Sequence, residues 1–267
     1  MISSLLIASG LLLTGQPLNT TWFVWINAGP MTAHALAVHL TLLGSGYVVI
    51  LLMLALDRGH GVGPALALRT VLIGAVLTRV GKAALAEPRP LQVLGADVVQ
   101  VVGLPLAGSN AMPSGHTLTA FAGALALWWI WRSTSNNSRG GAPALLMLVM
   151  GLATGVAWSR MAVGAHWPAD VLAGAGCGLL TATLAALWER HGQWARVLRQ
   201  RLAQCMVALL EIAIAAVWLS LDLHEPGTQT LQLFVGAIGL TSGAWRLWRH
   251  MQPASAARPA QDRIAAL

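Results

Sequence analysis

The chain has 267 residues, of which 56% are apolar and only 9% charged, and its mean hydropathy is +0.67. Soluble domains carry about 25% charged residues, so this composition excludes an ordinary soluble domain and indicates an integral membrane protein, with room for about eight spans of ~20 residues. The net charge of +7 does not indicate nucleic acid, because no clustered basic and aromatic face accompanies it.

Long apolar runs predict helices over 2–15, 31–57, 63–86, 115–132, 142–159, 168–188, 204–222 and 229–248. The expected fold class is therefore all-α, a polytopic membrane helical bundle. Residues 2–15 are the weakest span, being short. They also lack a basic n-region and a small-residue cleavage signal, so a removable signal peptide is not expected. Residues 18–30, with Trp22 and Trp25, read as an interfacial stretch. The tail from Pro253 is rich in Ala, Pro and Arg and is expected to be mobile. Cys177 and Cys205 have no metal-ligand spacing and read as small core residues.

Charge orients the spans. Arg58, Arg132, Arg139, Arg190, Arg196, Arg199, Arg201, Arg246, Arg249, Arg258 and Arg263 fall in alternate loops or the tail, which makes that side cytoplasmic. Tryptophans 128, 129, 131, 188, 245 and 248 cluster at the same helix ends, as an interfacial belt does. The opposite side carries Lys82, Arg89 and Arg160, with Arg79 one turn inside Lys82 as a further cation within reach. Both termini are expected in the cytoplasm, with those cations facing the periplasm.

These opposite-side cations fall into three short blocks. Lys82, the only lysine, closes a helix, and Arg89 follows between Pro88 and Pro90, which forbid the helix to continue. Two cations from different backbone directions can grip one tetrahedral anion; they can equally be snorkelling headgroup anchors. Pro113-Ser114-Gly115-His116 opens the next helix. Free amides at Ser114 and Gly115 would suit an anion, with His116 placed to give a proton to a leaving oxygen; the alternative is a plain helix cap. Ser159-Arg160 ends a span, and His166 and Asp170 sit one turn apart on one helical face. The carboxylate can hold one ring nitrogen and leave the other as a nucleophile, or His166 and Asp170 can simply favour the helix start. Eleven specified positions at about 5% each make a joint chance match negligible.

Together these residues resemble the complete signature of the type 2 phosphatidic acid phosphatase family, which also includes vanadium haloperoxidases and glucose-6-phosphatase. The resemblance implies a phosphatase-like membrane domain over 1–190, with 191–267 an extension of two further transmembrane helices and the tail. It implies His166 as the nucleophile forming a phosphohistidine, Asp170 orienting it, and His116 as general acid. It also implies Lys82, Arg89, Arg160, Ser114 and the amide of Gly115 as the phosphate-binding group. No metal and no cofactor are expected, since no Asp/Glu cluster is present and three cations can stabilise the transferring phosphoryl group.

The function expected is a lipid phosphatase of the bacterial inner membrane acting on a lipid phosphate or diphosphate at the periplasmic face. Undecaprenyl diphosphate is the first choice, ahead of lipid A, phosphatidylglycerol phosphate and phosphatidate. A phosphotransferase would share the phosphohistidine and differ only in its acceptor. A vanadate haloperoxidase fits poorly with so many apolar spans, and a transporter of anions would need cations but no nucleophile. The expected partners are the membrane and a lipid phosphate substrate, with no nucleic acid. The oligomeric state stays open. Arg69 is expected to snorkel, Glu211 to make a helix-packing hydrogen bond, and His34 and His39 to serve helix packing.

Overall fold

The computed structural model describes residues 1–103, 110–134, 138–223 and 227–252, and for 138–140 the backbone alone. The described residues form helices α1 (Ile2–Leu13), α2 (Pro17–Asn27), α3 (Met31–Leu43), α4 (Gly46–Asp57), α5 (Val62–Leu85), α6 (Pro90–Leu94), α7 (Gly115–Thr134), α8 (Ser138–Ala162), α9 (Pro168–Gly192), α10 (Trp194–Leu198), α11 (Arg201–Ser220) and α12 (Gln229–Met251). The tail from Pro253 lies outside the described residues, as do Arg258 and Arg263 and the side chain of Arg139.

Among the described residues, four segments are long and apolar enough to cross a bilayer: Val62–Leu94, Gly141–Ala162, Pro168–Gly192 and Arg201–Ser220. The α3–α4 pair makes a fifth if counted together. The eight predicted runs are thus all helical, but not all meet the criterion of a span. At 12 residues, α1 rises only about 18 Å, well short of the ~30 Å hydrocarbon core. The stretch 18–30, read as interfacial, contains the helix α2. The expected continuous helix 31–57 is broken, with α3 and α4 bent 56° apart. Its break falls at Gly44-Ser45, where a side chain at 44 would run into Val156 and the His116 backbone. Ser45 takes an extended conformation there instead.

The bundle is organised around α7 and α9. Their buried faces are dominated by small residues, among them Ala120, Ala122, Ala124 and Ala126 on α7 and Ala169, Ala173, Ala175, Ala182 and Ala185 on α9. Small side chains let helices approach closely where no hydrophobic force drives them together. Helices α4, α5 and α8 pack around α7, and α1 lies along α9. Leu72, Val76, Val80, Met147, Leu148, Leu210 and Phe234 remain exposed on the outside, as lipid-facing residues do.

At one end of the bundle the charges are mutually satisfied. Arg246 bonds Asp57 at 3.4 Å, Glu211 at 3.2 Å, the Gln204 amide oxygen at 2.7 Å and the Leu54 carbonyl. Asp57 also accepts the amides of Gly59, Gly61 and Gly63. Arg246 is therefore not a loop cation, as its position suggested, but the centre of a buried network joining α4, α11 and α12. Glu211 does make the helix-packing bond expected of it. Arg69 departs from expectation too. Rather than snorkelling, it is fully buried, paired with Glu189 at 2.5 Å and set against the rings of Trp188 and Trp194. Bonds from Arg199 to His60, Arg201 to Met251 and Arg249 to Arg58 gather three arginine-rich loops at this same end.

Candidate active site

At the opposite end, α5 finishes, α7 starts, α8 finishes and α9 starts, and a cavity of about 390 Å³ opens between them. Lys82, Arg89, Gly115, His116, Arg160 and His166 line it, and Val38, Leu42, Val101, Val102 and Leu223 are among its apolar lining residues. The three sequence blocks thus converge on one cavity.

Backbone geometry explains the convergence. Gly81 sits against Pro113, and a side chain there would come 2.7 Å from the proline ring. This absence of a side chain lets the end of α5, with Lys82, meet the start of α7. Ser114 donates its amide to the Asp170 carbonyl at 3.0 Å, tying α7 to α9. Between α8 and α9 the chain turns back tightly, the amides of Ala165 and His166 both donating to the Arg160 carbonyl. Gly164 in that turn has φ +77°, and a side chain on it would meet the Gln100 carbonyl at 2.6 Å. Only glycine suits both demands.

His166 is buried, and its Nδ1 lies 3.3 Å from Asp170 Oδ2. The same carboxylate oxygen accepts the Trp167 amide at 2.8 Å. Asp170 stands in the first turn of α9, where the helix dipole favours a negative charge. Burial holds the His166 imidazole well below the ordinary histidine pKa of 6.5, and the positive charges of Arg160, Arg89 and Lys82 push it the same way. The ring is therefore neutral near pH 7. With Nδ1–H donated to Asp170, its Nε2 carries the free lone pair. Trp167 anchors the turn by donating Nε1–H to the Pro88 carbonyl at 2.8 Å and by packing on Phe23, ring centroids 5.1 Å apart.

Among the described residues, Lys82, Arg89 and Arg160 make no ion pair. Arg89 is held by the Ala165 carbonyl at 2.8 Å and Asn110 Oδ1 at 3.2 Å, and Arg160 by Thr41 Oγ1. The Nε groups of Arg89 and Arg160 are buried without an acceptor. Buried cations without a countercharge are costly, so the arrangement is complementary to an anion of the size and charge of phosphate. The first-turn amides of Gly115 and His116 add donors at the start of α7.

Two expectations are altered. Ser114 was expected to offer a free amide to phosphate, but that amide is engaged by Asp170. Its hydroxyl, fully buried, accepts from Thr117 at 3.0 Å, and Ser114 does not line the cavity. Ser159 is likewise buried and bonds the Val156 carbonyl. Arg79 is exposed and lines an apolar groove of α4, α5 and α7 instead of the cavity that holds His116 and His166. Thr41 and Asn110 escaped the sequence reading because neither belongs to a charged block. Asn27 did also: its amide donates to the Gln100 and Ala162 carbonyls and accepts the Gln100 amide, each within 2.9 Å, and so fixes the segment beside Gly164. Among the described residues, no group of three or more His, Cys, Asp or Glu side chains is placed to hold a metal.

Comparison with known proteins follows the same lines. The PAP2 superfamily model matches residues 64–194, which contain all of the charged blocks. An undecaprenyl-diphosphatase from Sulfolobus acidocaldarius is 30% identical over 167 residues, covering 58% of this chain and 71% of that protein. The crystal structure of LpxE from Aquifex aeolicus superposes with a TM-score of 0.52 at 26% identity, over 65% of this chain and 97% of its own. A transmembrane PAP2-type phosphatidylglycerolphosphate phosphatase from Bacillus subtilis gives a TM-score of 0.58 at 18% identity, over 71% and 96% of the two chains.

Proposed function

The chain belongs to the PAP2 superfamily, and from that premise we propose that it is a membrane lipid phosphatase that hydrolyses a lipid diphosphate, best represented by undecaprenyl diphosphate, through a phosphohistidine on His166. The observation that carries this reading is the cavity itself: three buried or half-buried cations, without ion-pair partners among the described residues, surround an oriented, neutral histidine. The similarity to an undecaprenyl-diphosphatase supports the choice of substrate.

In the first step, His166 Nε2 attacks the terminal phosphorus and the bond from phosphorus to the bridging oxygen breaks. Burial and the charges of Arg160, Lys82 and Arg89 hold the His116 pKa down to about 3. The substrate's anionic phosphates offset those charges, so that His116 takes up a proton on binding and gives it to the bridging oxygen as the lipid monophosphate leaves. Lys82, Arg89, Arg160 and the Gly115 amide hold the equatorial oxygens, where charge is concentrated in the transition state. Asp170 stabilises the imidazolium that forms. In the second step water attacks the phosphohistidine, His116 takes a proton from it, and inorganic phosphate leaves with His166 restored. The chain's own cations do the work often given to a divalent ion, so no metal is required.

The gathering of the arginine-rich loops at the far end supports a periplasmic active site by the positive-inside rule. Asn136 and Ser109, natural places for accessibility probes, lie outside the described residues. Asp97 and Arg196 are exposed at the two ends and serve instead. In a chain free of Cys177 and Cys205, an impermeant thiol reagent should label Asp97→Cys and spare Arg196→Cys from the periplasmic side. The reverse pattern would refute the orientation.

For the reaction, purified protein in detergent should release phosphate from undecaprenyl diphosphate in excess chelator, and orthovanadate should inhibit it, because vanadate can adopt the geometry of the transferring phosphoryl group. A strict need for magnesium would refute this mechanism.

A further inference from the structure

The matched family region ends at residue 194, yet the cavity does not. Leu223, three residues beyond the end of α11, is part of its lining. That position is held along the whole length of the α11–α12 hairpin. At the far end the Arg246 network fixes both helices to α4. Midway, Ala215, Trp218 and Val235 pack with Val48 and Leu51 of α4 in one cluster, which also takes in Leu42, Leu43, Leu221 and Leu223. Near the cavity the two helices are cross-bonded: Trp218 Nε1 donates to the Gln232 carbonyl at 2.9 Å, and the Gln232 amide donates to the carbonyls of Trp218 and Leu221, each at 2.8 Å. His39 Nε2 of α3 meets the Gly227 carbonyl at 3.2 Å, a further tie from the hairpin to α3.

The cavity is therefore amphipathic, and part of its apolar lining comes from outside the segments that carry the charged residues. Lys82, Arg89, His116, Arg160 and His166 make the polar half. Val38 and Leu42 of α3 and Leu223 of the hairpin lie among its apolar lining. A phosphate group needs only the first. A hydrocarbon chain leaving that phosphate gains by covering the second. We propose that Leu223 is a specificity-determining residue, forming with Val38 and Leu42 the wall on which the first carbons of the lipid chain lie. The C-terminal hairpin, which lies outside the matched family region, thereby selects the chain that the phosphatase accepts. This inference rests on the lipid phosphatase reading and adds the element that reads the lipid.

The test compares kcat/KM for undecaprenyl diphosphate with kcat/KM for p-nitrophenyl phosphate, an ester without a lipid chain, on monodisperse protein in one detergent. In Leu223→Ala the ratio of the two should fall about tenfold, the size expected for lost apolar contacts in a binding pocket. Leu223→Met, which keeps the apolar volume, should restore most of it, and Leu223→Trp should shift the preference toward shorter or thinner chains. Leu233→Ala, on the exposed outer face of α12, should leave the ratio as it is. Parallel losses on both substrates in the Leu223 variants would mean a structural role only and overturn the inference. So would an unchanged ratio in Leu223→Ala and Leu223→Trp, with the phosphatase reading intact. A wild-type protein that cleaves the small ester but no lipid phosphate would instead overturn the substrate reading, and this inference with it.

Discussion

The molecule holds buried arginines at both ends, and they are treated in opposite ways. At the arginine-rich end, Arg246 is enclosed by Asp57, Glu211 and Gln204, and Arg69 by Glu189 and two indole rings. At the other end, Arg89 and Arg160 are equally hidden from solvent, but their bonds go to a carbonyl, an amide oxygen and a hydroxyl, all uncharged. Pairing and lack of pairing distinguish structure from function here. A buried cation with its carboxylate is part of the scaffold. One held only by neutral groups around a cavity keeps its charge available for an anion that arrives later.

That contrast can be broken most severely at the nucleophile. His166→Ala should lower kcat by about four orders of magnitude or more, while circular dichroism and gel filtration in detergent stay as in the wild type. Substantial turnover by the folded variant would remove His166 from the mechanism. Asp170→Asn keeps the shape but loses the charge that holds the Nδ1–H tautomer, and a fall of about 10³-fold in kcat is expected. Steady-state phosphate release measures both.

The arginines then test the comparison directly. Arg160→Met should reduce kcat/KM by about 10²–10³-fold, the cost of one donor to the transferring group, with little change in thermal midpoint. Arg246→Met should do the reverse. Stranding Asp57 and Glu211 as buried carboxylates should cost about 3–5 kcal/mol of stability, while the protein that stays folded keeps a near-normal kcat for p-nitrophenyl phosphate. Thermal unfolding alongside kinetics separates the two, and equal effects of both substitutions on both readouts would abolish the distinction.

Which arginines are paired could not be read in the sequence. Lys82, Arg89 and Arg160 stood out because they recur beside Pro, Ser, Gly and His in short blocks, and local spacing is what a sequence displays. Arg246 and Glu211 are 35 residues apart, and Arg246 and Asp57 are 189 apart; no periodicity connects them, so Arg246 looked like any loop cation. The same limit hid Thr41 and Asn110, which are ordinary polar residues until the fold sets them against Arg160 and Arg89. Apolar runs located the helices well, since hydropathy is a local property. They passed over the break at Gly44-Ser45, where the residues packed against Gly44, Val156 and His116, lie far along the chain. Leu223 was unreadable for a similar reason: a leucine at the end of an apolar run carries no sign of the cavity it will face.

The smallest effect concerns pH. With its folded pKa held below 6.5, His166 stays neutral in the fold after it begins to protonate in the unfolded chain. As pH falls through ~6.5 the unfolded state thus takes up the proton first, and the folded state loses stability at this site. Between about pH 7 and pH 5, His166→Ala should accordingly lose less thermal stability than the wild type. An identical decline in both would show that the burial of His166 adds nothing to acid sensitivity.

The most direct test of the central claim is to catch the phosphoryl group on the protein. Wild-type enzyme mixed with undecaprenyl diphosphate and quenched in alkali during turnover, then digested and analysed by mass spectrometry, should carry phosphate on the peptide containing His166. Asp170→Asn and Arg160→Met should carry less of it. Turnover in which no phosphorylated histidine appears, or in which the phosphate is found on another residue, would contradict the account.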